Sequence, residues 1–411
     1  MSRKSTTSSV LLQREALHVF ILIVNAFSWY FPLYLLFQNA LEVLHGEYPF
    51  LSIAFGVHLV AIVGSAIVGT GLAKRFPNRD AFLTIWMLIG VIVSAFLVQL
   101  ETFNTPSTLV LSFLLGISLG LGLPSSFAYF GDCSVEENRG WLAGLTFFAS
   151  SLGILLVGLV VGFSTLVVGS FILVAWRGIG LLLFLFTKSN QDCRKENTVE
   201  VSYRSVLLDK SFLLYLIPWI MFCLVNFIEN PVVDNFFGED FAPFIPLAEY
   251  GIGSFAAFIG GWFSDFVGRK RVVIFGFIIL GIGYAVLGLF SSINFSRHFY
   301  LILDGVAWGI FSCMFFLVTW PELAGNRVKE KYCFIGVVPF IISSYIQILF
   351  TPYAKLIDIS AAFSLASLFL FLAVFPILLA PETLPERKIE LKRLRKYVDK
   401  AKRIKDKYKR N

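Results

Sequence analysis

Charge is what this sequence has least of. Only 15% of its 411 residues are Asp, Glu, Lys or Arg, whereas 57% are apolar and the mean hydropathy is +0.78. Soluble domains carry about 25% charge, so a string of soluble domains is excluded and a polytopic membrane protein remains. Cysteine is scarce too. Cys133, Cys193, Cys223, Cys313 and Cys333 form no CxxC pair, and none falls in an expected external loop. This points to free thiols and no metal site. No Gly-x-x-x-x-Gly-Lys-Ser/Thr loop and no HExxH pattern occurs, which argues against ATP-driven work by this chain and implies no cofactor. No small-residue cleavage site follows the first apolar run, so a retained first span is expected rather than a cleaved signal peptide.

What is present is length in apolar runs. A hydrocarbon core about 30 Å thick needs roughly 20 apolar residues as a helix. Twelve stretches qualify, near 16–37, 51–73, 81–100, 107–130, 141–162, 165–187, 211–230, 243–264, 272–290, 298–320, 332–352 and 359–380. The polar stretch 188–210 divides them six and six. The net charge of +7 could be read as a nucleic-acid footprint, but its placement says otherwise. With both termini in the cytoplasm, 31 of the 34 Lys and Arg fall in cytoplasmic segments; Arg177, Arg297 and Lys355 are the exceptions. That asymmetry is the positive-inside pattern, and it would be scrambled by removing one span.

The halves echo each other at an offset of about 190. Gly116 and Gly120 match Gly305 and Gly309, Asp132 matches Glu322, and Asn138-Arg139 matches Asn326-Arg327. Asn25 finds a counterpart in Asn226 at a somewhat larger offset. Paired repeats with a site between them near mid-membrane are a common transporter plan. The last thirty residues differ in kind. Thr383 to Glu386 reads as a capping box, and Leu391, Leu394, Val398, Ala401, Ile404 and Tyr408 recur at helical spacing among Lys and Arg. Two readings stay open: a basic amphipathic helix on anionic lipid, or a solvated charged tail.

One turn gathers several special residues: Gly261-Trp-Phe-Ser-Asp265-Phe-Val-Gly268-Arg269-Lys270-Arg271. Gly261 lets a neighbouring helix approach closely. Asp265 stands at the membrane edge, where a carboxylate can meet a helix N-terminus. Gly268 permits a turn too tight for a side chain, and Arg269 to Arg271 hold the loop inside. The turn resembles the signature loop of the major facilitator superfamily of transporters, and the resemblance extends over the whole chain. Its first-half counterpart is degraded, with Lys74 where that family has the acid and Pro77 where it has the second glycine. Tyr129-Phe-Gly-Asp132 with Arg139-Gly140, Trp320-Pro-Glu322 with Arg327, and Pro381-Glu382-Thr383 are similar to loops of sugar porters in the superfamily. Helix 7, with Asn226-Phe-Ile-Glu229-Asn230-Pro231, departs from them.

The resemblance implies that Asp132, Arg139, Asp265, Arg269, Glu322 and Arg327 form a cytoplasmic latch between the halves. Exposed ion pairs worth about 0–1 kcal/mol each would suit a latch that opens thermally. The alternative is plain interface charge. It also implies a cavity lined by helices 1, 2, 4, 5, 7, 8, 10 and 11. Ionisable residues inside spans are functional candidates. Glu249, Asp304, Glu229 and His58 fall at similar depth on such helices, as a ring that would bind a cation or carry a coupling proton. Against this, Pro231 is expected to end helix 7 and leave Glu229 in a wetted vestibule, and His58 is open to a structural reading. Asn25 and Asn226 are substrate or packing amides; Trp29, Trp308, Tyr345 and Gln347 are further lining candidates. The 45 phenylalanines read as lipid-facing bulk. Arg177 implies either a short, tilted helix 6 or a partner inside the first bundle. Helix 5 lacks the Gly-Pro of the superfamily's drug–proton antiporters, which favours uptake.

These readings give an all-α membrane protein whose twelve transmembrane helices form two pseudo-symmetric six-helix bundles. Residues 1–187 and 211–381 form the bundles, 188–210 a linker and 382–411 a basic tail. The expected function is secondary transport of a small solute by alternating access, coupled to protons, in the cell membrane. Partners are the solute, protons and membrane lipid, with no nucleic acid and a monomeric state. The alternatives are an efflux transporter of the same superfamily, a transporter-shaped receptor or sensor, and a lipid enzyme. A receptor would need a cytoplasmic signalling domain, and an enzyme would need clustered catalytic residues near one interface.

Overall fold

The computed structural model describes residues 2–46, 48–76, 78–187, 198–238, 241 and 244–384, with Glu390, Leu394 and Val398; side chains are described from Arg14 onward, except that of His45. Apart from Glu390, Leu394 and Val398, the expected amphipathic helix of the tail lies outside the described residues, as does Cys193.

Among the described residues, twelve helices are long and apolar enough to cross a membrane. They are α1 (Arg14–Leu44), α2 (Tyr48–Leu72), α3 (Arg79–Thr102), α4 (Thr105–Cys133), α5 (Glu136–Gly162) and α6 (Leu166–Phe186), then α7 (Lys210–Phe237), α8 (Phe244–Val267), α9 (Arg269–Leu289), α10 (Asn294–Ala324), α11 (Lys329–Leu356) and α12 (Ile359–Leu379). Helices are the expected form because lipid offers no partner to a free N–H or C=O. Polar side chains cap several of them: Asn78, Asn104, Thr165, Asp209 and Asp358 each accept a first-turn N–H. The expected stop at Pro231 is overturned. Pro218 and Pro231 lie inside α7, which continues to Phe237, and Glu229 is buried rather than in a vestibule.

The first six and last six helices form two bundles. They meet chiefly along α5 against α8, and α2 against α11. The α5–α8 contact is backbone-close. A Cβ on Gly261 would stand 2.3 Å from the Gly140 carbonyl oxygen, and one on Gly144 would stand 2.6 Å from that of Ala257. Between the bundles, residues 198–202 and a short helix at Tyr203–Leu207 run beneath both. Val199 pairs as a single bridge with Arg327.

Arg177 finds its answer in this packing. Helix α6 is full-length, so the short-helix alternative fails. The guanidinium is fully buried, sits over the Trp29 and Trp86 rings at 4.4 and 4.8 Å, and donates to Asn25 Oδ1 at 2.8 Å. Among the described residues Cys133, Cys223, Cys313 and Cys333 are all buried, and none of them forms a disulfide with another of the four.

Candidate functional site

The face that carries the Gly261–Arg271 turn is closed by a buried ionic layer. Gly268 ends α8 at φ +104°, and a Cβ there would lie 2.3 Å from the Glu382 carboxylate. The chain therefore turns directly into α9, and Glu382 accepts the freed N–H groups of Arg269 and Lys270 at 2.8 and 3.3 Å. Burial pushes the Glu382 carboxyl above its usual range. One turn back, Asp265 crosses to the other bundle and accepts the N–H groups of Gly140 and Trp141 at 3.0 and 2.9 Å. These are first-turn donors of the helix that begins at Arg139, the positive end of its dipole. Arg269 is fully buried and donates to Asp265 at 2.6 Å, to Glu322 at 3.4 Å and to the Glu136 carbonyl at 2.9 Å. Glu322 also takes Arg139 at 3.2 Å and the Thr383 hydroxyl at 2.5 Å.

A second cluster mirrors the first about 190 residues earlier or later in the sequence. Arg79 at the start of α3 donates to Asp132 at 2.7 Å and, across the interface, to Glu330 at 2.6 Å. Lys329 also bonds Asp132 across the interface. Thus Arg79 matches Arg269, Asp132 matches Glu322, and Lys329 matches Arg139. Two expectations are corrected here. The pairs are buried, not exposed, because the layer lies inside the bundle contact: the side chains of Arg79, Asp132, Arg139, Glu322, Lys329 and Glu330 are at most 7% exposed. And Arg327 does not join the layer. It pairs with Asp209 at 2.6 Å, within its own half, and is 45% exposed. Of the three missed residues, Arg79 and Lys329 carried a signal in that same offset, matching Arg269 and Arg139, whereas Glu330 falls opposite Gly140 and carried none.

Beyond the layer, a cavity of about 190 Å³ lies between the bundles, lined from α1, α2, α4, α7, α10 and α11. Its floor is an aromatic cluster in which Phe316 of α10 meets Phe27 and Phe127 with ring centres 5.8 and 6.0 Å away. On one wall Tyr30 Oη lies 2.6 Å from His58 Nε2, and His58 Nδ1 lies 3.0 Å from the Ser112 carbonyl. Towards the other face, Tyr345 donates to the Ser52 carbonyl at 3.1 Å and Tyr48 to that of Ile348 at 2.7 Å. Several phenylalanines expected to be lipid-facing line this cavity instead.

The remaining candidates separate. Glu249, in a π-helical stretch of α8, lines a smaller space of about 70 Å³ with Trp308. That space shares Phe27, Phe31 and Phe316 with the central cavity. Glu249 lies within electrostatic range of Asp304 and Asp234. Asp304 and Glu229 are 2% and 8% exposed, and Asp304 Oδ1 and Glu229 Oε2 have no hydrogen-bond partner among the described residues. His58 is not part of that group, so the expected ring of four is a cluster of acids in the second half and a histidine elsewhere. Asn226 accepts from Trp308 Nε1 at 3.1 Å. Asn25 is turned away from the cavity, held by Trp176 and Arg177. Trp29 is buried beneath Arg177 and bonded to Ser94. Gln347 lines neither space. No group of three or more His, Cys, Asp or Glu among the described residues is placed to hold a metal ion.

No family model and no curated protein sequence matches the chain. Solved structures do. The proton:xylose symporter XylE bound to 6-bromo-6-deoxy-D-glucose matches at 16% identity over 91% of this chain and 97% of that one, with a TM-score of 0.69. The E. coli fucose:proton symporter FucP matches at 14% identity over 91% and 99%, TM-score 0.69. The human organic anion transporter MFSD10 (TETRAN) matches at 14% over 89% and 99%, TM-score 0.64. At these identities the likeness is one of fold, and the fold is that of the major facilitator superfamily.

Proposed function

We propose that this chain, a multi-pass membrane protein of major facilitator fold, is a secondary transporter that moves a small solute by rocking its two bundles about the central cavity. The observation that carries this reading is the cross-bundle ionic layer closing one side of a cavity that both bundles line. A layer of that kind stabilises one tilt of the bundles and has to be broken to reach the other. We place the closed face in the cytoplasm, with both termini, because the twelve-span order assigns 31 of the 34 basic residues of the sequence to segments on that side. The driving force is a proton gradient. Asp304 and Glu249 are the proton carriers: they are neighbours, they sit in the membrane, and Glu249 borders the cavity floor. The comparison structures of xylose and fucose symporters, both proton-coupled by name, support that choice.

The test is access from each side. Ala26 lines the cavity, so Ala26→Cys in oriented proteoliposomes reports where a membrane-impermeant maleimide enters. In the Asp265→Asn background, labelling is expected from the cytoplasmic side, whereas with Asp265 intact that side is protected. Protection from the cytoplasmic side in both backgrounds would overturn the transporter reading.

A further inference from the structure

The central cavity carries a second message in what lines it. Among the described residues that line it, seven are phenylalanine and none is Lys, Arg, Asp or Glu. Burying a hydroxyl without a partner costs about 1–3 kcal/mol. A sugar, with several hydroxyls on every face, would leave most of them unpaired against Phe27, Phe127, Phe227 and Phe316. An ion would fare worse. The size is also restrictive: a dry apolar cavity of about 150 Å³ takes a benzene ring, so about 190 Å³ holds one ring with a short substituent.

The few polar atoms define what that substituent must be. The Ser112 carbonyl can only accept, so His58 Nδ1, 3.0 Å away, carries the hydrogen. In the neutral ring Nε2 is then an acceptor, and the Tyr30 hydroxyl 2.6 Å away donates to it. Tyr345 likewise donates to the Ser52 carbonyl, and Ser344 to that of Ile341 at 2.8 Å. Three of the four lining hydroxyls, those of Tyr30, Tyr345 and Ser344, have committed their hydrogens to the protein and keep lone pairs to offer; the fourth belongs to Tyr34. At Tyr30 the wall accepts a hydrogen bond and has no hydrogen left to donate.

From this we infer that the cavity binds a neutral, single-ring-sized apolar molecule bearing one hydroxyl or N–H donor, of the phenol type. Its ring packs among Phe27, Phe127 and Phe316, and its donor meets Tyr30. The inference rests on reading this cavity as the transport site, but its test is binding alone. Purified full-length protein is equilibrated with radiolabelled 4-methylphenol, with 4-methylanisole, which has the same ring and no donor, and with xylose. Saturable binding of 4-methylphenol is expected, about tenfold tighter than that of 4-methylanisole, with none for xylose. Tyr30→Phe together with His58→Leu removes the hydroxyl acceptor and the Nε2 acceptor that it otherwise covers, and should lower 4-methylphenol affinity to that of 4-methylanisole while leaving the ether unchanged, which also shows that the variant is folded. Binding of xylose in preference to 4-methylphenol would overturn the inference, as would equal affinity for phenol and ether in the intact protein. Phenol binding without alternating access would sink the transporter reading and leave this one standing; alternating access without phenol binding would do the reverse.

Discussion

The two ends of the ionic layer meet the same demand with their charges in different places. In each, an arginine that opens a helix, Arg79 or Arg269, lies between two carboxylates, and a cation from the opposite bundle, Lys329 or Arg139, joins the acid at the end of α4 or α10. At the second-half end, Asp265 reaches across to backbone N–H groups. At the first-half end the corresponding position is Lys74, and the missing acid arrives from the other side: Glu330 of α11 reaches back to Arg79. Lys74 itself is met by Glu200 of the linker, which also pairs with Lys331. What the fold preserves is therefore the charge arrangement around each arginine, and the chain segment that delivers the acid is free to change.

That contrast makes the two ends respond differently to substitution. The largest effect is expected from Asp265→Ala, which takes the nearest carboxylate from the fully buried Arg269 and leaves two N–H groups unpaired. Removing one partner of a buried pair costs about 3–5 kcal/mol. Labelling of Cys133, buried beside the layer, should then accelerate by about two orders of magnitude in a Cys193→Ser background. The first-half end is bonded side chain to side chain and should allow exchange. Arg79→Glu is expected to open the layer, and Glu330→Arg added to it to restore about 2 kcal/mol of coupling, read by the same labelling in a double-mutant cycle. No reversal at Arg139 or Glu322 should rescue Asp265→Arg, because its cross-bundle partners are backbone.

Gly261→Ala comes next. Its Cβ would press on the Gly140 carbonyl, forcing α5 and α8 apart at a cost of about 1–3 kcal/mol, seen as lower thermal stability and partial Cys133 exposure. The smallest effect belongs to the linker clamp. Glu200 is 62% exposed, so Lys74→Ala should change stability by less than about 1 kcal/mol and by nothing measurable at high salt. Lys74, hydrogen-bonded to it, holds the Glu200 carboxyl below its ordinary range. The clamp's contribution is thus full above the ordinary glutamate value of about 4.3 and is lost as pH falls through the lowered one. Thermal melts of wild type and Lys74→Ala should converge only at the acid end.

The fold was legible in the sequence because lipid leaves so few choices: apolar length gives the spans and basic placement gives the sidedness pattern. The Asp265 loop was legible because its parts are contiguous. Glu330 was not, because the segment it completes lies some 250 residues away and looks merely degraded when read alone. Asn25 and His58 were read as candidates since a polar residue in a span advertises function. Sequence does not say that Arg177, Trp176, Tyr30 and Ser112 already occupy their hydrogen bonds. The apolar cavity was hidden for the opposite reason: a phenylalanine facing lipid and one facing a solute are written alike.

The most direct measurement is the distance between spin labels at Val135→Cys and Asn326→Cys, exposed positions of opposite bundles on the charged face. With the layer intact, one short population is predicted. Asp265→Ala should add a longer one that becomes dominant, and Arg79→Glu should do the same until Glu330→Arg is introduced. A single distance unmoved by any of these substitutions would show that the ionic layer does not hold two mobile bundles together.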